Sequence, residues 1–198
     1  MTSHSSSLRA PLGLALVSLL VFGLLYAIAV AGLGGLLFPR TATGSLIERE
    51  GRVVGSALAA QPFADARYFQ PRPSAAAYDP MALAGSNQAR SNPDLRQRIA
   101  DARVAVAARE GISPEAVPGD LLTQSGSGID PHISPEGARV QIARVARARG
   151  LDADQVGQLV ARHTEGPQLG LFGQPRVNVL VLNLALDALS RAVAAQAQ

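Results

Sequence analysis

The densest group of polar side chains in the sequence lies between Ser125 and Pro135, where the chain reads SGSGIDPHISP. Serine, aspartate and histidine are the residue types of a hydrolase triad, and a glycine-rich stretch before a helix is a typical anion site. The spacing argues against a triad, because Asp130 and His132 flank a proline and a nucleophile elbow needs glycine two residues before Ser127. The same residue types are typical of a rigid turn whose side chains bond to the backbone. The sequence therefore favours the turn and leaves the hydrolase and the anion site as alternatives.

Histidines and missing residue types limit the chemistry further. The chain has three histidines and no cysteine, and all of its 18 basic residues are arginine. Disulfides, thiolate metal sites, Schiff-base lysines and a Walker A nucleotide loop are therefore excluded. We expect His163 to end a helix and to bond its last carbonyls. A metal site shared with His132 is less favoured, because no third donor lies nearby in the sequence. We predict no catalytic residue and no metal site, and we assign no cofactor-binding residue.

Charge is absent from one long stretch near the N-terminus. Between Arg9 and Arg40 no side chain is charged, and a helix that spans a bilayer needs about 20 apolar residues. We therefore predict a tail over residues 1–10, a transmembrane helix over 11–38 and a soluble domain over 39–198. The net charge of +3 is too small to predict a nucleic-acid partner.

Small residues recur along one face of this helix. Gly23, Ala27, Ala31 and Gly35 are four residues apart, and such stripes let a second membrane helix approach closely. The stripe predicts packing against a partner helix, although small residues also align by chance in a chain rich in alanine and glycine. A cleaved signal peptide is a second alternative, because Ala27-Ile28-Ala29 fits a cleavage site. The apolar run exceeds the roughly 7–15 residues of a signal peptide, which favours a retained anchor.

The remaining pattern predicts an α+β fold, in which the transmembrane helix is followed by one mixed, helix-rich soluble domain. A short β-hairpin is expected over 45–58, with Glu50-Gly51 at its turn. Another short strand is expected over 117–123. The proline-rich stretch 61–93 has no periodicity but contains aromatic residues, so we expect an ordered, irregular loop that packs on the domain.

Helix signals follow this loop. Asn92, Ser134 and Asp152 are each expected to cap the start of a helix, the first two with proline at the next position. Glycines 111 and 150 are expected to end the first two of these helices. A last helix is expected from Asn178 to Ala195, with leucines and valines along one side.

Several longer blocks of residues run from the anchor to the last helix. They are 37–40, 44–47, 54–58, 61–63, 68–69, 71–75, 85–87, 91–93, 125–135, 163–164, 176–180 and 182–183. Together these blocks make the chain resemble the KdpC family, whose members are a subunit of the bacterial Kdp-type potassium-transporting P-type ATPase. The positions that we take as the family fingerprint are Ser125, Gly126, Ser127, Gly128, Asp130, His132, His163, Asn178 and Asn183.

The resemblance implies a non-catalytic accessory subunit of a pump for high-affinity potassium uptake. Its partners would be a channel-like subunit that passes potassium, a P-type subunit that hydrolyses ATP, a small membrane subunit and the lipid bilayer. The family is described as a catalytic chaperone that raises the ATP affinity of the hydrolytic subunit. No firmly bound cofactor is implied; ATP enters only through this family description, and potassium is handled by the partner subunits. A membrane-anchored periplasmic hydrolase or binding protein is the alternative.

Orientation is the point on which charge and resemblance disagree. Arg40, Arg49 and Arg52 follow the apolar helix and lean toward a cytoplasmic domain by the positive-inside rule. The resemblance implies a single pass through the bacterial inner membrane, with the N-terminus in the cytoplasm and the soluble domain on the outer face. We follow the resemblance, because long folded domains cross the membrane largely regardless of their charge.

Overall fold

The computed structural model describes residues 8–196, and two compact units divide the chain at Leu46/Ile47. In the first unit a continuous helix runs from Arg9 to Leu37, as the uncharged sequence predicts. It is the one helix among the described residues that is long and apolar enough to cross a bilayer. It ends before Phe38, whose φ of −133° and ψ of 58° are not helical, because the following proline disfavours the helical region.

The middle of this helix is wider than an α-helix. It consists of α1 (Arg9–Ser18), a π-helical segment (Leu19–Leu25) and α2 (Tyr26–Leu37), and α3 (Pro39–Ala42) follows. No residue pattern predicted the π segment. The division into a tail, a membrane helix over 11–38 and a soluble domain from residue 39 stays a prediction, because length and composition alone do not put a helix in a bilayer. Residues 1–7 of the predicted tail lie outside the described residues.

The second unit contains five short strands and five helices of the described chain, and it confirms the predicted α+β class. The strands are β1 (Leu46–Arg49), β2 (Arg52–Ser56), β3 (His132–Ile133), β4 (Thr164–Glu165) and β5 (Arg176–Asn178). The helices are α4 (Pro93–Glu110), α5 (Pro135–Arg139), α6 (Ile142–Arg149), α7 (Ala153–Arg162) and α8 (Val179–Gln196). β1 and β2 pair as one sheet, and β5 lies between β3 and β4 in an antiparallel second sheet.

The predicted hairpin and helix caps are confirmed. Glu50 and Gly51 both have positive φ, 53° and 73°, which is the backbone of a two-residue hairpin turn. The side chains of Asn92, Ser134 and Asp152 accept hydrogen bonds from backbone N–H groups in the first turns of α4, α5 and α7. These bonds satisfy donors that a helix start otherwise leaves free.

Three expectations about secondary structure differ from the structure. The strand expected over 117–123 is wrong, because this stretch turns in a 3₁₀ helix (Gly119–Leu121) that buries Leu121 and Leu122. The helix expected to run from Ser134 to Gly150 breaks between α5 and α6, where the N–H of Gln141 bonds to Ala138 three residues back. Asn178, expected as the first residue of the last helix, instead ends β5.

The core of the second unit lies between α4, α6, α7, α8 and the central sheet. Its largest fully buried apolar side chains include Phe69 of the irregular loop as well as Leu182 and Leu186 of α8. The loop 61–93 therefore supplies a core residue, as expected for an ordered loop that packs on the domain. Buried polar side chains of the helical part bond to the backbone of this loop.

Candidate functional site

The stretch 125–130 is a turn that bonds to itself. The Oγ of Ser125 is buried and accepts hydrogen bonds from the N–H of Gly128 at 3.0 Å and of Asp130 at 3.5 Å. The Oγ of Ser127 accepts from the N–H of Ile129 at 3.2 Å. Two hydroxyls thus satisfy three backbone donors, which is the rigid turn that the residue types predicted.

Asp130 links this turn to His132 and to the irregular loop. Its Oδ1 accepts from the His132 N–H at 3.0 Å and lies 3.2 Å from His132 Nδ1, while its Oδ2 contacts an Arg72 guanidinium N–H at 3.1 Å. Burial alone would raise the pKa of Asp130, but the hydrogen bonds from His132 and the charge of Arg72 outweigh burial and lower it. The carboxylate therefore stays ionised and serves as a fixed acceptor.

Gly128 marks the closest approach between this turn and the irregular loop. Its carbonyl accepts a hydrogen bond of 2.5 Å from the hydroxyl of Ser74, and its φ is +76°. A Cβ atom at this position would lie 2.7 Å from both the Ala76 Cβ and the Ala84 carbonyl oxygen. Only glycine fits here, because both the backbone angle and the space exclude a side chain.

The arrangement does not support the hydrolase alternative. In the described part of the chain no hydrogen bond joins the hydroxyl of Ser125 or Ser127 to the ring of His132. The Asp130 carboxylate binds Arg72 and the backbone N–H of His132. Serine, histidine and aspartate therefore do not form the hydrogen-bonded chain of a catalytic triad here. The hydrogen bonds of this turn position backbone.

His163 lies where the sequence predicted it. It follows the last residue of α7, and its Nδ1 lies 2.9 Å from the carbonyl oxygen of Leu159. Within residues 8–196 no group of three or more histidine, aspartate or glutamate side chains is arranged to hold a metal ion. The structure thus gives His163 a helix-terminating contact.

Two buried amides hold the backbone of the irregular loop. Asn183 is 1% exposed, and its side chain accepts from the Phe69 N–H and donates to the Phe69 carbonyl, both at 2.9 Å. Gln141 is fully buried and bonds to Gln70 in the same way, at 2.8 Å and 3.1 Å. Each amide replaces the partner that a neighbouring strand would offer, so the loop keeps satisfied backbone groups without being part of a sheet.

A buried ion pair lies beside these amides. Both carboxylate oxygens of Glu110 are shielded, one 2.6 Å from Arg109 Nε and the other 2.8 Å from Arg144 Nε. Arg144 also donates to the carbonyls of Ala66 and Tyr68, at 2.6 Å and 3.0 Å. The charges of Glu110 and Arg144 are thus paired, and the spare donors of the arginine fasten the start of the loop.

The last helix fastens both the hairpin and the loop. Asp187 of α8 accepts from Arg49 of β1 at 3.1 Å and from Arg149 at 2.8 Å, and Arg149 lies 4.7 Å from the Tyr68 ring centre. Asn178 donates to the carbonyl of Ala57, just after the hairpin, at 2.8 Å. Asn178 and Asn183 thus hold non-helical segments against the helices, as Asp187 does.

One cavity of about 310 Å³ separates the irregular loop from α4. Apolar residues form most of its wall, and its polar groups come from Gln70, Tyr78 and Arg109. The guanidinium of Arg109 already donates to Glu110 and to Gln70, and the Tyr78 hydroxyl donates to the carbonyl of Arg72 at 2.9 Å. The wall offers apolar contact and no cluster of free donors for a phosphate group.

Sequence reasoning missed the residues that fasten the loop from the helices. Gln141, Glu110 and Arg144 were not singled out from the sequence. In the helix expected from Ser134 to Gly150, Gln141 falls on the apolar side between Ala138 and Val145. A polar residue on a core-facing stripe was the available signal. Its partner, the Gln70 backbone, lies 71 positions away in sequence and left no signal of its own.

The small-residue stripe lies within the first unit. All four of its members are exposed, and a Cβ added at Gly35 would meet nothing within 4 Å. At Gly23 the side chain of Leu19, from the same helix, approaches such a Cβ to 3.5 Å. The stripe is thus open at Gly35 of α2, and Ala27 and Ala31 of the same helix are exposed.

Comparison with known proteins gives a consistent result. The family model KdpC, described as K+-transporting ATPase, c chain, matches residues 8–188. A Potassium-transporting ATPase KdpC subunit of Xanthomonas oryzae pv. oryzae is 65% identical over 181 residues, which cover 91% of this chain and 87% of that protein. The proteins with the same description from Shewanella putrefaciens and Geobacter metallireducens are 51% and 48% identical, over 96% and 93% of this chain and 94% and 99% of theirs.

The resemblance inferred from the sequence blocks is confirmed by the family match over most of the chain. The chain belongs to the KdpC family, as an accessory subunit of the potassium-transporting ATPase that is not catalytic on its own.

Proposed function

We propose that this subunit assembles and stabilises the pump complex by packing its N-terminal helix against a helix of a partner subunit. The observation that carries the proposal is the helix Arg9–Leu37, whose apolar side chains are exposed over its whole length in the isolated chain. Lipid covers such side chains, but it gives no reason for a face of small residues. The partners are a channel-like potassium-translocating subunit, an ATP-hydrolysing P-type subunit and a small membrane subunit.

The soluble domain acts in this proposal through its shape. Many of its buried and half-buried polar groups hold the irregular loop in place, so the loop presents a fixed surface to a partner. Potassium is handled by the partner subunits, and this chain binds no cofactor firmly. Any increase in the ATP affinity of the hydrolytic subunit is then transmitted through the assembly, because a domain on the outer face does not meet cytoplasmic ATP.

Replacing both Ala27 and Ala31 by leucine is expected to reduce co-purification of the partner subunits at least about tenfold, because the added side chains keep a neighbouring helix from close approach. The measurement is affinity purification of the tagged chain from detergent-solubilised membranes that contain all subunits. Ala29→Leu, on the opposite face of the same helix, is the matched control and should keep the wild-type yield. A full yield from the double variant would contradict the packing role.

The domain from residue 40 onward is proposed to lie on the outer face of the inner membrane, with the N-terminus in the cytoplasm and a single membrane pass. A protease added to intact spheroplasts should therefore digest the domain while a cytoplasmic marker protein survives. The control is the same preparation after detergent, in which both are digested. Digestion of the domain only after the membrane is opened would reverse the orientation and bring the domain to the cytoplasmic, ATP-hydrolysing side.

A further inference from the structure

A hairpin tip projects three large apolar side chains from the second unit. The tip lies between β4 and β5, and residues 168–172 are called the apolar tip. Leu169 is 89% exposed, Leu171 is 81% exposed and Phe172 is 63% exposed. Exposed apolar side chains are normal one at a time, but a group of three on one short turn indicates a contact surface.

Backbone hydrogen bonds close the apolar tip into a tight turn. The N–H of Gln168 donates to the Phe172 carbonyl at 2.8 Å, and the N–H of Phe172 donates back to Gln168 at 2.9 Å. A further bond of 3.0 Å joins the Leu171 N–H to the same Gln168 carbonyl. Leu169 has a φ of +53°, a backbone that leucine rarely adopts. Such a preformed turn fits a shaped recess, because little freedom is lost when it binds.

Charge distinguishes a protein partner from a lipid surface. No charged residue occurs from Gly166 to Pro175. The next basic residue in the sequence, Arg176, lies 3.0 Å from the carboxylate of Glu165 on the neighbouring strand. Segments that bind bilayer surfaces combine apolar side chains with free lysines or arginines that attract anionic headgroups. The apolar tip has no such cation, so its chemistry favours an uncharged, apolar recess of a protein.

The exposed area argues against a second copy of this chain as the partner. The three side chains offer roughly 450 Å² of apolar surface, so two tips packed together would bury about 900 Å². Stable interfaces between separate proteins bury about 1,200–2,000 Å². A partner subunit that already packs on the small-residue face of the helix needs less contact at the tip, because the first attachment raises the effective concentration for the second.

We propose that the apolar tip is the central contact of the soluble domain with a membrane-embedded partner subunit, which receives Leu169, Leu171 and Phe172 in an uncharged recess. The inference rests on the proposed function as an assembly subunit. It assigns the tip a second attachment point besides the small-residue face of the helix. A few well-packed side chains near the centre of an interface commonly carry most of its binding energy, and aromatic residues are enriched there.

The first test compares two charged substitutions at equally exposed sites. Phe172→Glu should reduce co-purification of the partner subunits at least about tenfold, as for a central contact residue. Val104→Glu on α4 is the matched control, since Val104 is 65% exposed and Phe172 is 63% exposed. It should retain the wild-type yield. A Phe172→Glu yield within about twofold of wild type overturns the proposal.

Folding and the underlying function are checked separately. Phe172→Glu and the milder Phe172→Ala should keep the thermal unfolding midpoint of wild type, and Phe172→Ala should still show a reduced yield. If the yield falls only together with the unfolding midpoint, the tip is a folding element and the proposal is wrong. If wild-type chain fails to co-purify with any partner, the proposed function fails, and this inference fails with it.

The second test asks whether the tip enters lipid. The chain has no tryptophan, so Phe172→Trp introduces a single fluorophore. The full-length variant is reconstituted alone into vesicles of phosphatidylcholine and phosphatidylglycerol with brominated acyl chains, which quench tryptophan on contact. We expect the fluorescence in brominated vesicles to differ by no more than about 10% from that in unbrominated vesicles, because the tip lacks the cations of a lipid-binding segment. Strong quenching would make the bilayer the partner and overturn the proposal.

Discussion

Replacing Gln141 by leucine is expected to lower the free energy of unfolding of the soluble domain by about 3–5 kcal/mol. Leucine nearly matches the volume of glutamine, so the loss comes from hydrogen bonds and not from a cavity. The side chain now bonds to the N–H and the carbonyl of Gln70 and to the carbonyl of Gly137, and it accepts from Arg144. Without it, several buried groups lose a partner, and each such group costs about 1–3 kcal/mol.

The measurement is urea unfolding of the full-length chain in detergent, followed by circular dichroism. Gln97→Leu is the control for the same change of residue type, because the Gln97 side chain lies in an exposed position on α4 and bonds to Asp101. It should change the free energy of unfolding by no more than about 0.5 kcal/mol, as is usual for surface substitutions. Equal stability of Gln141→Leu and wild type would mean that water replaces the lost bonds, and the loop would then not depend on this amide.

Local signals in the sequence predicted the parts of the fold that are held by local contacts. Asn92 caps α4 and Asp152 caps α7, because a side-chain oxygen reaches the N–H two residues further on. Glu50-Gly51 turns the hairpin for a similarly local reason, since both residues adopt positive φ. Such elements depend on neighbours within about four positions, and residue types at those positions are visible in one sequence.

The three-stranded sheet left no local signal. β3 and β4 are two residues long and β5 is three, which is too short for an alternating pattern. Each is defined by its partners, as in the pairing of Ile133 with Val177. In the strand wrongly expected over 117–123, a local signal misled. Val117 and Thr123 are residue types that favour strands, but the backbone turns at Gly119 and buries Val117 and Leu121.

The candidate site divides in the same way. The turn at 125–130 was predicted from its hydroxyls and glycines, because they bond within five residues. The role of the turn could not be predicted from the sequence, because its partners Arg72 and Ser74 lie more than 50 positions away along the chain. The polar residues that suggested chemistry thus serve to fix a loop, and they do so through partners that only the folded chain brings together.

Gly128→Ala is the sharpest test of this structural role. The backbone of Gly128 has a φ of +76°, which costs an alanine about 1–2 kcal/mol, and the new methyl group would meet the Ala84 carbonyl at 2.7 Å. Overpacking of this kind costs about 1–3 kcal/mol more, so we expect a loss of about 2–5 kcal/mol in the free energy of unfolding. The measurement is urea unfolding of the full-length chain, as above.

Gly126→Ala is the control within the same turn, because a Cβ added at Gly126 meets nothing within 4 Å. Its free energy of unfolding should stay within about 0.5 kcal/mol of wild type. If the turn instead worked by binding an anion through its backbone, Gly126→Ala would impair the pump while leaving stability unchanged. If the role is structural, pump activity follows stability. Gly128→Ala should then lose activity at 37 °C and regain part of it at low temperature, where more of the chain is folded. Gly126→Ala should keep full activity at both temperatures.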